Sequence, residues 1–304
     1  MDLEPMGTSV RPPASAFLCI DSEDRYANGQ PNPFLAAENR VLYGSENPGN
    51  SFSIQKRQPL LYGIFRRVGL VQTQLNYRVP TIVAGKNDEF VIDISGGATH
   101  IVILAEGYYD ASGLAAHIQA EVLNLAGPPI PGFTCVYDAQ YGAFTMAQGA
   151  GTVQFAFNTG GGSADGDVIN RTNITIGVQQ TNLNYATTHF LATPQLLFTR
   201  FVDIVSSRLA KFQRVKDSDT LATNKSNILT RVYLTAPNTR SDPSITCGPI
   251  DICVDPNTPK HSMWSIDEAV YELDFQLYDE YGDLLPWTTN YNTEFQITLL
   301  ASET

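Results

Sequence analysis

Histidine and cysteine are scarce in this chain, with four of each in 304 residues. His100, His117, His189 and His261 show neither HxxxH nor HxH metal-ligand spacing, so each reads as a satisfied or exposed histidine before a ligand. Cys19, Cys135, Cys247 and Cys253 form no CxxC and read as isolated thiols, with a Cys247–Cys253 loop closure left open. No GxxxxGK[ST] and no convincing GxGxxG is present, so phosphate cradling is unsupported. Gly161-Gly162-Ser163-Ala164-Asp165 fails the GxSxG nucleophile elbow at its last position. The longest apolar run, residues 101–105, falls far short of the ~20 residues a membrane helix needs. Arg-Gly-Asp does not occur.

Charge is also in short supply. Only 16% of residues are charged, against about a quarter in an ordinary soluble domain. Nineteen basic residues face thirty-one acidic ones, a net charge of −12. Such a surface repels phosphate backbones, so duplex DNA binding at physiological salt is not expected. Asn, Thr, Gln and Gly stand where charge would be. That composition suits either polar surface covered by neighbouring subunits or a loop-rich β protein. The opening MDLEPMGTSVRPP is acidic and proline-containing, unlike a signal peptide. A soluble protein made in the cytosol follows, and the sequons at Asn170, Asn173 and Asn224 read as unglycosylated.

What is present is alternation. Tyr271, Leu273, Phe275 and Leu277 interleave with Glu272, Asp274, Gln276 and Tyr278, which puts apolar and polar residues on opposite faces of a strand. Asp-Glu-Tyr-Gly-Asp supplies a turn, and Phe295, Ile297 and Leu299 resume the pattern, predicting an antiparallel strand pair at the C-terminus. Residues 51–105 read as a run of strands. In one of them Val71, Thr73, Leu75 and Tyr77 share a face opposite Gln72, Gln74 and Asn76.

One helix is expected over 110–125, capped near Asp110, with Leu114, Ile118, Val122 and Leu125 as its apolar stripe and Gly127-Pro128-Pro129 as its stop. A hairpin FTCVYD–AQYG–AFTMAQ follows, then TVQFAF. The Gly-rich segment 160–167 reads as a loop; Asp165 and Asp167 could also take up calcium, although a plain turn accounts for them better. Residues 201–216 fit a helix or a strand with a short helical turn, and the second is favoured. The whole predicts an all-β fold: a single jelly-roll β-sandwich with one short helix and an extended N-terminal arm. The arm with its short strand covers 1–50, the jelly roll 51–304, and a variable insertion is placed at 148–188.

Several stretches resemble the penton (vertex) proteins of double-stranded DNA viruses with double-jelly-roll major capsid proteins, namely giant viruses, virophages and their polinton-like relatives. They are FLCIDSEDRYANGQPNPF at 17–34, FSI with LLYGIFRRVGL, the 109–125 helix with FTCVYDAQYGAFTM, FVDIVSSRLAKFQRVKDSDT with ILTRVYL, and LYDEYGDLLP with FQITLLASE. The resemblance implies a homopentamer that closes the fivefold vertices of an icosahedral capsid. Its partners would be itself, neighbouring major capsid protein capsomers and minor capsid proteins, with no cofactor, no catalytic role and no nucleic acid gripped directly. It would be made in the host cytoplasm and reside in the virion.

Two other functions compete: a minor capsid or cement protein beneath the shell, and a carbohydrate-binding sandwich using Trp264 and Trp287 with Asp279, Glu280 and Asp283. Candidate interface residues are Asp21, Asp24 and Arg25 on the arm, and Arg208, Lys211 and Arg214 in the basic cluster. The cluster also reads as a solvated face. The 17–25 segment reads equally as a strand ordered by assembly or as one packed in its own subunit. In the first case, deleting residues 1–25 leaves the sandwich folded.

Overall fold

Alternating side chains sort this chain into strands whose inward faces converge on one core. A computed structural model describes residues 15–23, 50–55, 65–97, 99–125, 130–149, 153–158, 166–178, 184–209, 227–234, 248–255, 260–263, 270–288 and 291–303. Two sheets make the sandwich. Sheet I runs β1 (Ser15–Asp21), β15 (Glu294–Ser302), β3 (Arg67–Tyr77), then β12 (Ile250–Val254), with β13 (Lys260–Met263) continuing beside β3. Sheet II runs β11 (Ile228–Tyr233), β10 (Phe201–Val205), β14 (Glu272–Tyr278), β2 (Ser51–Gln55). All these pairings are antiparallel. With β12 and β13 taken as one interrupted strand, the sandwich strands in chain order alternate between sheets except for the β10–β11 pair. That is the jelly-roll winding, as the alternation predicts.

The C-terminal strands are not side-by-side partners. β14 and β15 lie in different sheets and meet face to face, with the rings of Phe275 and Phe295 5.3 Å apart and Phe52 of β2 5.9 Å from Phe295. The connection after Asp279 therefore crosses the sandwich instead of folding back along one sheet. Leu273, Phe275 and Leu277 are buried as expected, while Tyr271 is exposed. Along β3 the buried side chains are Val68, Leu70, Thr73, Leu75 and Tyr77, with Gly69 buried between the first two. The phase shifts because a register irregularity opposite Thr298/Leu299 inserts Val71 as an extra residue, which turns the following side chains by one step.

The expected short strand near the N-terminus is β1. It pairs along all seven residues with β15, buries Ile20, and is followed by Ser22, whose hydroxyl accepts from the Phe295 amide at 2.9 Å. It is an edge strand of its own subunit's sandwich.

Between β3 and β10 the chain leaves the sandwich. This segment holds β4 (Glu89–Ile94), β5 (Thr99–Ile103), β6 (Thr134–Asp138), β7 (Ala143–Ala147), β8 (Phe155–Asn158) and β9 (Thr188–Phe190), with α1 (Ala111–Leu123) and α2 (Gly166–Ile176). Residues 148–188 fall within it. The β6–β7 hairpin forms as predicted, but β8 pairs with β4, and β9 takes the place beside β7. α1 matches the predicted helix: Asp110 caps it, accepting from the Gly113 amide, and Leu114, Ile118 and Val122 are buried.

α2 is a second helix beyond the one expected. Six of its eleven residues are β-branched (Val168, Ile169, Thr172, Ile174, Thr175, Ile176), which lowers intrinsic helix preference, and its first residues belong to the predicted Gly-rich loop. Packing overrides that preference. Val168, Ile169, Thr172, Asn173, Thr175 and Ile176 are buried on one side, and the Thr172 and Thr175 hydroxyls donate back to the Val168 and Arg171 carbonyls. Asn173 is buried, so its sequon is closed to a glycan in the folded chain. A single apolar core runs from the sandwich (Leu75, Phe275, Ile297) into the inserted segment (Phe90, Ile118, Phe155).

Candidate functional site

Of the predicted interface residues, Asp21 and Arg208 are described; Asp24, Arg25, Lys211 and Arg214 lie outside the described residues. Asp21 works within its own chain. One carboxylate oxygen accepts from the Glu23 amide at 2.8 Å and the other from Gln296 Nε2 at 2.6 Å, which ties the end of β1 to β15. Arg208 is exposed in the turn after β10, and its backbone amide donates to Asp274 Oδ1 at 3.0 Å. The structure does not bring these two residues together. Residues 201–205 form β10 and a turn follows at 207–209, in line with the favoured reading over that stretch; residues 210–216 lie outside the described residues.

Two other charged constellations are built more deliberately. The first fastens the inserted segment to the sandwich. After β14, residues 279–283 form a closed turn: Asp279 Oδ1 accepts from the amides of Tyr281 and Asp283, both at 2.9 Å, and Gly282 takes φ 82°, a value that favours glycine. Asp279 Oδ2 is left facing α2 and accepts from Arg171 at 2.8 Å, while the other arm of the Arg171 fork reaches Asp283. The guanidinium also lies 4.3 Å from the centre of the Tyr281 ring. Beside it Glu280 accepts from Arg200 and, at 2.9 Å, from Gln195. The Asp279 side chain is 0% exposed. Burial pushes its carboxyl above the usual range, against the pull of the Asp283 amide and Arg171. The bond to Glu280 raises the Arg200 pKa.

The second constellation lies on the outward face of sheet II. Arg231 of β11 forks onto Asp203 of β10, at 2.7 Å and 2.9 Å, and its guanidinium stacks 3.9 Å from the Phe201 ring centre. The bonds to Asp203 push the Arg231 pKa up, against desolvation. Tyr233, directly opposite Phe201, meets it edge-on at 5.9 Å. Further along, Asp274 accepts from the Ser207 amide and hydroxyl and the Arg208 amide at 3.0, 2.6 and 3.0 Å. Burial would raise its pKa, but these bonds outweigh it and hold the carboxyl below the usual value.

The predicted sugar site does not assemble from its acids. Asp279, Glu280 and Asp283 all face arginines, Trp287 Nε1 donates to Asn292 Oδ1 at 2.8 Å, and Trp264 lies outside the described residues. Asp167 sits in the first turn of α2, whereas its calcium partner Asp165 lies outside the described residues. Among the described residues, no three His, Cys, Asp or Glu side chains are placed to share a metal ion, and no helix is long and apolar enough to cross a membrane.

Sequence reasoning passed over Arg171, Arg200, Asp203 and Arg231. For one pair a signal existed. Asp203 in FVDIV and Arg231 in ILTRVY both occupy outward positions of their strands, and lone opposite charges in adjacent strands pair across them.

Winding and geometry together define a jelly-roll sandwich that carries a large inserted segment between its third and fourth strands. That is the fold of the mavirus penton protein, whose crystal structure superposes on this chain with a TM-score of 0.51 at 13% identity, covering 94% of this chain and 99% of that one. A chain in the 3.5 Å cryo-EM structure of the Sputnik virophage matches at TM-score 0.45 and 12% identity, covering 96% and 99%, a score too low to add weight. No protein-family model matches the sequence, and no curated protein does.

Proposed function

We propose that this chain is a structural protein of a viral capsid, a penton whose five copies close the fivefold vertices of an icosahedral shell. The observation that carries the reading is the shared fold: a jelly roll that matches the mavirus penton protein along nearly the whole of both chains. The resemblance carried by the sequence motifs points the same way. The work of such a protein is geometric, since subunits meet side to side through two different patches and a ring closes. The carboxylates that could imitate an acid pair are spent on holding the chain's own parts together, so the reading contains no catalytic step. Its partners are further copies of the chain and the major capsid protein capsomers around the vertex, and its place is the virion. Cryo-EM of particles that contain the chain tests this. Density for the fold is expected in five copies around each fivefold axis. Density confined to the underside of the shell would favour a minor capsid or cement protein.

A further inference from the structure

We infer that the outward face of sheet II around Tyr233 is a surface on which a second copy of this chain docks; the inference rests on the assembly reading above and says where one half of the contact lies. Among the described residues, β11 is one of the two edge strands of sheet II. Its outward residues Arg231 and Tyr233 stand in register with Asp203 and Phe201 of β10, and Tyr278 of β14 lies opposite Asp203 on the other side. Tyr233 is 66% exposed, yet its ring is steadied against Phe201, which is itself held under the Arg231 guanidinium. Tyrosine, phenylalanine and arginine anchor protein contacts because they offer large, stiff, amphipathic area.

Charge identifies the occupant. A chain with a net charge of −12 repels its own copies wherever bare carboxylates face each other. On this face the carboxylates are matched from within: Asp203 by both arms of Arg231, and Asp274 by Ser207 and the Arg208 amide. Glu272 lies six residues from Tyr278 at the far end of β14, about 20 Å along the strand. An acidic copy therefore meets rings and a satisfied cation here. A strongly basic partner would find, among the described residues around Tyr233, no carboxylate without an internal partner to hold. Phe190 of β9, 83% exposed, has no stacked ring or guanidinium among the described residues and serves as a control.

Sedimentation velocity of the full chain tests the inference, comparing wild type, Tyr233→Glu and Phe190→Glu over a concentration series. The expected result is that Tyr233→Glu raises the concentration needed for half-assembly at least tenfold with an unchanged thermal transition, while Phe190→Glu follows wild type. If Tyr233→Glu assembles at wild-type concentrations, this inference is overturned and the assembly reading stands. If wild type stays monomeric throughout, both fall. Should Tyr233→Glu unfold, hydrogen exchange of the wild type decides: amides 228–233 gain protection in the assembled form, and equal protection in assembled and diluted protein overturns the inference.

Discussion

Arg171 on the second helix donates to Asp279 at the end of β14, 2.8 Å away, with the Asp279 side chain wholly buried. The two residues stand 108 positions apart and join the inserted segment to the sandwich. Removing one partner of a buried ion pair strands the other charge, which costs about 3–5 kcal/mol. Arg171→Leu is therefore expected to lower stability by roughly 3 kcal/mol, read by chemical denaturation. Asp279→Asn keeps an oxygen for the Tyr281 and Asp283 amides and removes the charge that burial disfavours. It turns an NH2 toward Arg171, but Arg171 retains Asp283 as its counter-charge, so the variant is expected to cost less than Arg171→Leu. Equal losses in the two variants would contradict this assignment.

Asp274 gives a pH signature. Its carboxyl is held below the ordinary value of 3.8, so the folded state binds its proton less readily than the unfolded chain. The stability it contributes is full above pH 3.8 and is lost as pH falls through the folded value. The stability gap between wild type and Asp274→Asn should narrow between pH 6 and pH 3. Asp279 works in the opposite sense: its raised value favours folding when protonated, and that contribution disappears as pH rises. A gap at Asp274 that widens on acidification would overturn the assignment.

The thiols should differ in reactivity. Cys135 is buried, and desolvation pushes its pKa to about 12, so almost no thiolate is available near neutrality. Cys19 and Cys253 are exposed free thiols. Alkylation of the native protein followed by peptide mapping should label Cys19 and Cys253 and spare Cys135. Labelling of Cys135 at a comparable rate would contradict its burial.

Deleting residues 1–25 removes β1, and with it seven residues of pairing to β15 and the buried Ile20. Loss of the Ile20 burial alone is worth about 2 kcal/mol. The truncated chain should melt at a clearly lower temperature than the full one. An unchanged transition would mean that β1 is a detachable arm.

Most of the sandwich was legible because its strands carry period-two signals. In β14 and β15 the residues that alternate in the sequence are those that alternate in burial. Which strands pair was not legible: β14 and β15 look like hairpin partners in sequence, but each pairs with other strands and they meet only across the core, Phe275 against Phe295. α2 was hidden because its β-branched residues contradict their own helical surroundings, which tertiary burial then enforces. The Arg171–Asp279 contact was out of reach for the same reason, since it depends on where an unseen helix lands. The Arg231–Asp203 pair was half visible as two lone outward charges, but a long connection between the strands hid their register.

The mass of the purified chain in solution, measured by mass photometry across a concentration series, bears most directly on the penton reading. A single dominant species of five chains, in equilibrium with monomer at low concentration, is the expected result. A protein that remains monomeric at every concentration, or that closes into a dimer, would contradict it.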